Sequence, residues 1–358
     1  MQQIKSIFAI LLLFVLSHSA FAADTKGESS EDEFDAMEMI MHHIADTHEW
    51  HVISYTNKEG EQKHITIPLP IILIDNGIHI FMSSAFHHGE EVVKKGDVYY
   101  KLYHEKIYKT DAEGTINYGE HHEILNDKPL DFSITRNVAS MWFSILIIIW
   151  LFTAAAKRYK GQPAAPKGVQ SLVEPLILFV RDDVAYAQIG KEKADKFMPF
   201  LLTLFFFIWI NNLIGLIPFF PGGSNLTGNI SLTLVLALIT FLVTNISGTK
   251  SYWKHVFWMP GVPVPIRLLL SVIEFIGLFT KPFALMIRLL ANITAGHIII
   301  LSLFSLIFVM KSVAIAPVSV LMGLMMFMLE LLVAVLQAYI FTLLSALFIG
   351  MAVHEEEH

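Results

Sequence analysis

Five polar side chains stand along one apolar stretch of this sequence: Glu274, Lys281, Arg288, Asn292 and His297. An arginine at bilayer depth costs from roughly 3 kcal/mol on insertion scales to 10 or more in simulations, so it is kept for a task or a partner. A guanidinium does not deprotonate at accessible pH; it can attract or repel a passing charge but not relay a proton. At about 100° per helical residue Arg288 and Asn292 share a face, and Glu274, about four turns earlier, has nearly the same azimuth. His297 lies about 180° from Arg288 and serves another surface.

Downstream, Glu330 and Gln337 are seven residues apart and share a helix face. If the two helices form an antiparallel hairpin turning near Ala314, His297 and Glu330 sit equally far from the turn and can meet. A buried imidazole facing a carboxylate is a proton-exchanging pair. Plainer roles stand beside this one. Lys281 can snorkel, Asn292 and Gln337 can be interhelical glue, and Arg288 can pair with Glu274. Taken together, a fixed cation, a His/Glu pair and amides on a long hairpin read as an ion path interrupted by a positive barrier.

The elements that must hold these groups follow from composition. The 358 residues are 54% hydrophobic and only 16% charged, which specifies a polytopic membrane protein. There is no cysteine, which excludes disulfides and thiolate metal sites. The net charge of -7 is spread over loops and tails, so nucleic acid is not an expected partner. A first span covers Ile134 to Ala156, and the Lys157, Arg158, Lys160 and Lys167 cluster after it marks a cytoplasmic exit. Val169 to Ile189 mixes apolar residues with Glu174, Arg181, Asp182 and Asp183, the pattern of an interfacial amphipathic helix. Phe197 to Thr249 is uncharged and broken at Pro218 to Gly223, giving two spans that return to the cytoplasm at Lys250 and Lys254. Pro260, Pro263 and Pro265 delay helix until Ile266. Helices over Ile266 to Met310 and Val318 to Val353 follow; the first, at ~1.5 Å per residue, exceeds twice the hydrocarbon thickness and must tilt or kink, Pro282 being one place for a kink.

Residues 1–22 read as a signal peptide, with Lys5, the apolar run Ile7 to Leu16 and Ala20-Phe21-Ala22. Residues 23–130 form a histidine-rich extracytoplasmic domain with a short helix near Glu33 to Ile44 and alternating strand segments. Asp75-Asn76-Gly77 is expected to make a type I′ hairpin turn. His42, His43, His48, His51, His64, His79, His87, His88, His104, His121 and His122 match no zinc-ligand spacing, so no metal site is assigned. Residues 131–358 form the membrane domain. The fold class expected is an all-α polytopic membrane protein of about five membrane helices, including a long tilted carboxy-terminal hairpin. To it are added the interfacial helix and a small β-rich outer domain.

The run Arg288-Leu-Leu-Ala-Asn292-Ile-Thr-Ala-Gly-His297, followed by Glu330 and Gln337-Ala-Tyr-Ile-Phe341, closely resembles the signature of subunit a of rotary F-type ATP synthases. The similarity reaches upstream to Asn211-Asn212-Leu-Ile-Gly-Leu-Ile-Pro218 and covers about Ile134 to the carboxyl end. It implies a non-catalytic, cofactor-free, proton-translocating stator subunit of a cell inner membrane, lying against a ring of c subunits and held by b-type peripheral stalk subunits. By the same resemblance Arg288 separates two half-channels, flanked by Asn292 and Gln337. His297 and Glu330 line the outer half-channel, and Glu274 serves the cytoplasmic side. The His297/Glu330 order is that of mitochondrial relatives, and Gly215 stands where some members have Asp. An ion-coupled secondary transporter and a membrane enzyme are the alternative classes; no internal repeat or nucleotide-binding or nucleophile motif supports them.

Overall fold

The computed structural model describes residues 40–41, 44–56, 62–120, 122–158, 168–217, 222–259, 261–310 and 315–354. The signal peptide, most of the expected helix near Glu33 to Ile44, and His42, His43 and His121 lie outside them; Ile40, Met41 and Ile44 are helical.

The amino-terminal region is β-rich, as the alternating segments demand. Strands β1 (Glu49–Thr56) and β2 (Gln62–Pro68) pair as an antiparallel hairpin. A second sheet has the order β4-β3-β8, built from β3 (Pro70–Ile74), β4 (Ile78–Met82) and β8 (Leu130–Asp131). A third has β5 (Val93–Lys95), β6 (Val98–Tyr103) and β7 (Lys106–Thr110) in sequence order. Alternate side chains Ile71, Leu73, Tyr100 and Leu102 turn inward with Phe86 and Ile107 to make a small core. The β3–β4 connection differs from the expected two-residue turn. Ile74 pairs with Ile78, so three residues form the loop, with Asn76 and Gly77 at positive φ. Asp75 is drawn inward, because its carboxylate accepts from Lys109 Nζ (2.8 Å) and the Tyr100 hydroxyl (3.0 Å) and so ties this hairpin to the third sheet.

Helix α1 (Arg136–Arg158) follows β8 after four residues. Helix α2 (Val169–Phe179) continues into a π-helical turn, Val180–Tyr186, and a last turn, Ala187–Ile189. This is the expected amphipathic segment: Val173, Val180, Val184 and Ile189 are buried while Asp182 and Asp183 face out. Gly190, at φ +87°, makes the turn into α3 (Lys191–Leu216) that a residue with a Cβ rarely adopts. Helix α3 is the axis of the bundle. Of its most apolar window 56% is buried, against 17% for α1 and for the long helix described below, so only α3 is surrounded on most sides.

Helix α4 (Ile230–Ile246) begins at Asn229, whose side chain accepts from Ser231 N (2.9 Å). Its 17 residues rise about 25 Å, barely the hydrocarbon thickness. The chain then bends by 106° into α5 (Lys250–Phe257), which carries Lys250 and Lys254. Helix α6 (Val264–Val309) starts two residues earlier than expected, because Pro265 in a first turn has no N–H to lose. It runs unbroken through Pro282 for 46 residues. At about 69 Å it lies obliquely in any bilayer of ordinary thickness. Helix α7 (Ala316–Val353) returns antiparallel to it.

Candidate functional site

Two contacts fix the register of the α6–α7 hairpin. His297 meets Glu330, and a Cβ on Gly323 would stand 3.0 Å from Phe304, so seven residues on α6 match seven in the opposite direction on α7. The symmetric placement of His297 and Glu330 about the turn is therefore realised. His297 Nδ1 lies 2.7 Å from Glu330 Oε1, with the two side chains 12% and 3% exposed. Nδ1 is also 3.1 Å from the Ile293 carbonyl, which is the better aligned partner. Glu330 Oε1 is left with no aligned hydrogen bond, so the contact is a close charge approach. Glycine permits it: a Cβ at Gly296 would stand 2.6 Å from Oε1.

The other ring nitrogen looks away from Glu330. A Cβ at Gly215 would lie 3.8 Å from His297 Nε2 and 2.9 Å from the Ser224 carbonyl, so the end of α3 passes between imidazole and loop. Around it is a group of buried amides and hydroxyls. Ser224 Oγ donates to Asn137 Oδ1 (2.7 Å), Thr227 Oγ1 donates to Asn212 Oδ1 (2.6 Å), and Asn212 Nδ2 donates to the Ala334 carbonyl (3.2 Å). The sequence singled out Asn211, Asn212 and Gly215 only through the resemblance, and passed over Asn137, Ser224, Asn225 and Thr227. A serine or asparagine near a span end carries no periodic signal of its own.

Arg288 and Asn292 share an exposed face of α6, as their spacing requires. Leu285, Leu289 and Ile293 cover the opposite side and are buried. Ala284, Ala291 and Ala295 surround Arg288 on its face, the small side chains that let another helix approach. Among the described residues Arg288 makes no hydrogen bond or ion pair. The pairing with Glu274 is absent, for about 21 Å of helix separates the two. On the hairpin register Arg288 is level with Tyr339 and so close in height to Gln337, which is buried. No hydrogen bond joins Arg288 to Gln337 among the described residues.

Glu274 is half-buried and within electrostatic reach of the Tyr252 phenol on α5. Tyr252 donates to Asn245 Oδ1 (3.2 Å). These two line a pocket with Thr240, Thr244 and Lys281, whose ammonium lies 5.8 Å from the Phe348 ring centre. The bend between α4 and α5 makes this second polar group. Periodicity along single helices could not show it.

In the outer domain His48 Nε2 lies 2.9 Å from Asp131 Oδ2, His79 Nε2 is 3.1 Å from the Asp75 carbonyl, and His88 Nδ1 is 3.0 Å from Glu49 Oε1. Among the described residues no three His, Cys, Asp or Glu side chains converge as metal ligands would.

Comparison with known proteins joins these features. Residues 39–132 match a family described as a domain of unknown function, and residues 138–350 match the ATP synthase A chain family. ATP synthase subunit a of Chloroherpeton thalassium is 51% identical over 233 residues, covering 64% of this chain and 69% of that protein. ATP synthase subunit a of Pelodictyon phaeoclathratiforme is 43% identical over 285 residues, covering 77% and 80%. The matched region holds Arg288, Asn292, the His297–Glu330 pair and, Asn137 apart, both polar groups, and the chain belongs to the ATP synthase A chain family, the subunits a of F-type ATP synthases.

Proposed function

We propose that this chain carries protons through two offset half-channels against a c-ring, with Arg288 as the barrier between them. The observation that carries the reading is Arg288 itself: exposed on an alanine-lined helix face at membrane depth, with no ion pair among the described residues. A charge held there at several kcal/mol calls for a partner that the described residues do not supply. A ring of subunits bearing membrane-embedded carboxylates supplies one. Beside the guanidinium a ring carboxylate is favoured in its ionised form and gives up its proton. The same fixed charge repels a proton hopping directly between the half-channels. With ~2.3 kcal/mol per charge per 100 mV at stake, closing that leak couples ion flow to rotation.

The outer half-channel runs past Gly215 to His297 and Glu330, and the inner one past Glu274 and the Tyr252–Asn245 pair. Asn292 and Gln337 flank the guanidinium. The chain performs no chemistry on nucleotide; it is a non-catalytic stator part held by b-type stalk subunits in a cell inner membrane. Residues 23–130 lie outside, after a signal peptide at 1–22, the membrane domain spans 131–358, and the carboxyl end is cytoplasmic. The positive cluster after α1 supports that orientation. No observation favours the secondary-transporter alternative.

Arg288→Ala tests the reading. ATP-driven proton pumping in membranes is expected to vanish while the a, c and b subunits still co-purify. Coupled pumping at the normal rate in that variant would overturn it.

A further inference from the structure

The outer domain does more than sit beside the membrane bundle: it grips the head of α1. Arg136 N donates to the Thr47 carbonyl (2.9 Å) and Arg136 Nη2 to the Ala45 carbonyl (2.6 Å). Asp46 Oδ1 accepts from Asn137 N (3.0 Å) and Asp46 Oδ2 from the Thr135 hydroxyl (3.0 Å). A carboxylate from a distant segment thus satisfies a free N–H at the first turn, where the helix dipole favours a negative charge. Glu105, at the tip of the β6–β7 hairpin, also faces the Arg136 guanidinium.

The residue held by Asp46 is the one whose side chain leads inward. Asn137 Oδ1 accepts from Ser224 Oγ, and the Ser224 carbonyl and His297 Nε2 both border the side of buried Gly215 that a Cβ would occupy. Asn137, Ser224 and Asn225 are 4%, 1% and 4% exposed. Polar groups at this depth are costly unless each finds a partner; among the described residues Asn225 Oδ1 has no hydrogen bond, and Glu330 Oε1 has only the close approach of His297. Water is the partner that suits buried polar groups of this kind. Hydrogen bonds link Asp46 to Asn137 and Asn137 to Ser224, and Gly215 alone separates Ser224 from the His297–Glu330 pair.

We propose that the amino-terminal β domain builds the outer mouth of the proton path: Asp46 positions Asn137, and water along Asn137, Ser224 and the side chain-free face of Gly215 carries protons to His297. This assigns a role to a domain whose family has none, and it rests on the half-channel reading above. No bond is made or broken beyond proton exchange between water molecules and the His297 imidazole.

The absence of native cysteine makes the test direct. Asn137→Cys and Ser224→Cys are placed in the assembled complex in native membranes, with Leu146→Cys on the exposed face of α1 as control, and silver ion is added. ATP-driven pumping is expected to fall at least about tenfold at the first two positions, as befits loss of a proton-transfer step, and to stay unchanged at the third. Normal pumping that resists silver at both positions would overturn the proposal. Should neither cysteine variant assemble, Gly215→Ala decides: its Cβ crowds the Ser224 carbonyl and fills the space beside His297, so pumping is expected to slow about tenfold, and a full rate overturns the path. The domain's part is read from Asp46→Ala and Asp46→Asn. The amide keeps an acceptor for Asn137 N–H, so it is expected to preserve the rate that the alanine loses; equal full rates would remove Asp46 from the mouth. If the half-channel reading itself fails, Arg288→Ala pumps. If only this proposal fails, Arg288→Ala stays inactive while silver has no effect.

Discussion

His297 and Glu330 depend on glycines for their contact. Gly296 leaves room for the Glu330 carboxylate over the α6 backbone, and Gly323 does the same for Phe304 two turns nearer the hairpin turn. Gly296→Ala would press a methyl to 2.6 Å from Oε1, so either Glu330 leaves its rotamer or the helices part. Proton conduction through this variant is expected to drop about tenfold or more, with Arg288 untouched. Glu330→Gln and His297→Ala should each slow pumping by about 10² or more, and the double variant should be no worse than the poorer single one, because the two act as one unit. A double-mutant cycle on pumping rates measures this; strictly additive losses would separate the two residues.

At the scale of the element, the α6 face is what the structure sharpens. Leu285 is 1% exposed and points into the bundle although it lies only three residues from Arg288. The exposed strip, the one proposed to face the c-ring, is instead Ala284, Arg288, Ala291, Asn292 and Ala295. Cysteines at Asn292 and Ala295 are expected to crosslink to the carboxylate-bearing helix of a co-expressed c subunit, whereas a cysteine at Leu285 should not. Crosslinks at Leu285 with none at Asn292 would turn the helix over. A second element, the 106° bend after α4, gathers Asn245 and Tyr252 beside Glu274. Thr249 caps α5 there, with its Oγ1 accepting from Tyr252 N (3.3 Å). Thr249→Ala should cost about 1 kcal/mol of local stability. It should raise hydrogen exchange in 250–257 without altering exchange in α3.

For the whole molecule, the amino-terminal β domain and the bundle respond to different conditions. The domain relies on charged hydrogen bonds. The Asp75 carboxyl is held below its usual range by the Lys109 ammonium first and then by the Tyr100 hydroxyl, against the opposing effect of burial. The Tyr100 phenol is pushed up to about 12, by burial and then by Asp75. Burial works to raise Asp131, but bonds from His48 and Ser133 outweigh it and hold the carboxyl low. A carboxylate depressed in the folded state stabilises the fold above its unfolded pKa of about 3.9 and loses that contribution as pH falls through the folded value. Pepsin cleavage within 70–131 is therefore expected to rise as pH drops from about 4.5 to 2.5, while the bundle stays resistant. In Lys109→Met the rise should come at higher pH. An unchanged midpoint in that variant would show that Lys109 does not hold Asp75.

Much was legible without coordinates because the bilayer imposes strong rules. Apolar runs must be helices, positive clusters mark their cytoplasmic ends, and a buried arginine must have a function or a partner. Those rules gave the spans, the interfacial helix, the long hairpin and, through the spacing about its turn, the meeting of His297 with Glu330. The β-rich character of the outer region also followed from alternation, but its three-residue Asp75-Asn76-Gly77 loop did not, since the partners of Asp75 lie in another sheet. The polar series from Asp46 to His297 was equally hidden. Its members come from the outer domain, the head of α1, the loop before α4 and the end of α3, and each alone is an ordinary capping or loop residue. Sequence periodicity reports which face of an element is apolar; which polar atoms of separate elements share a buried space is decided only when the elements pack.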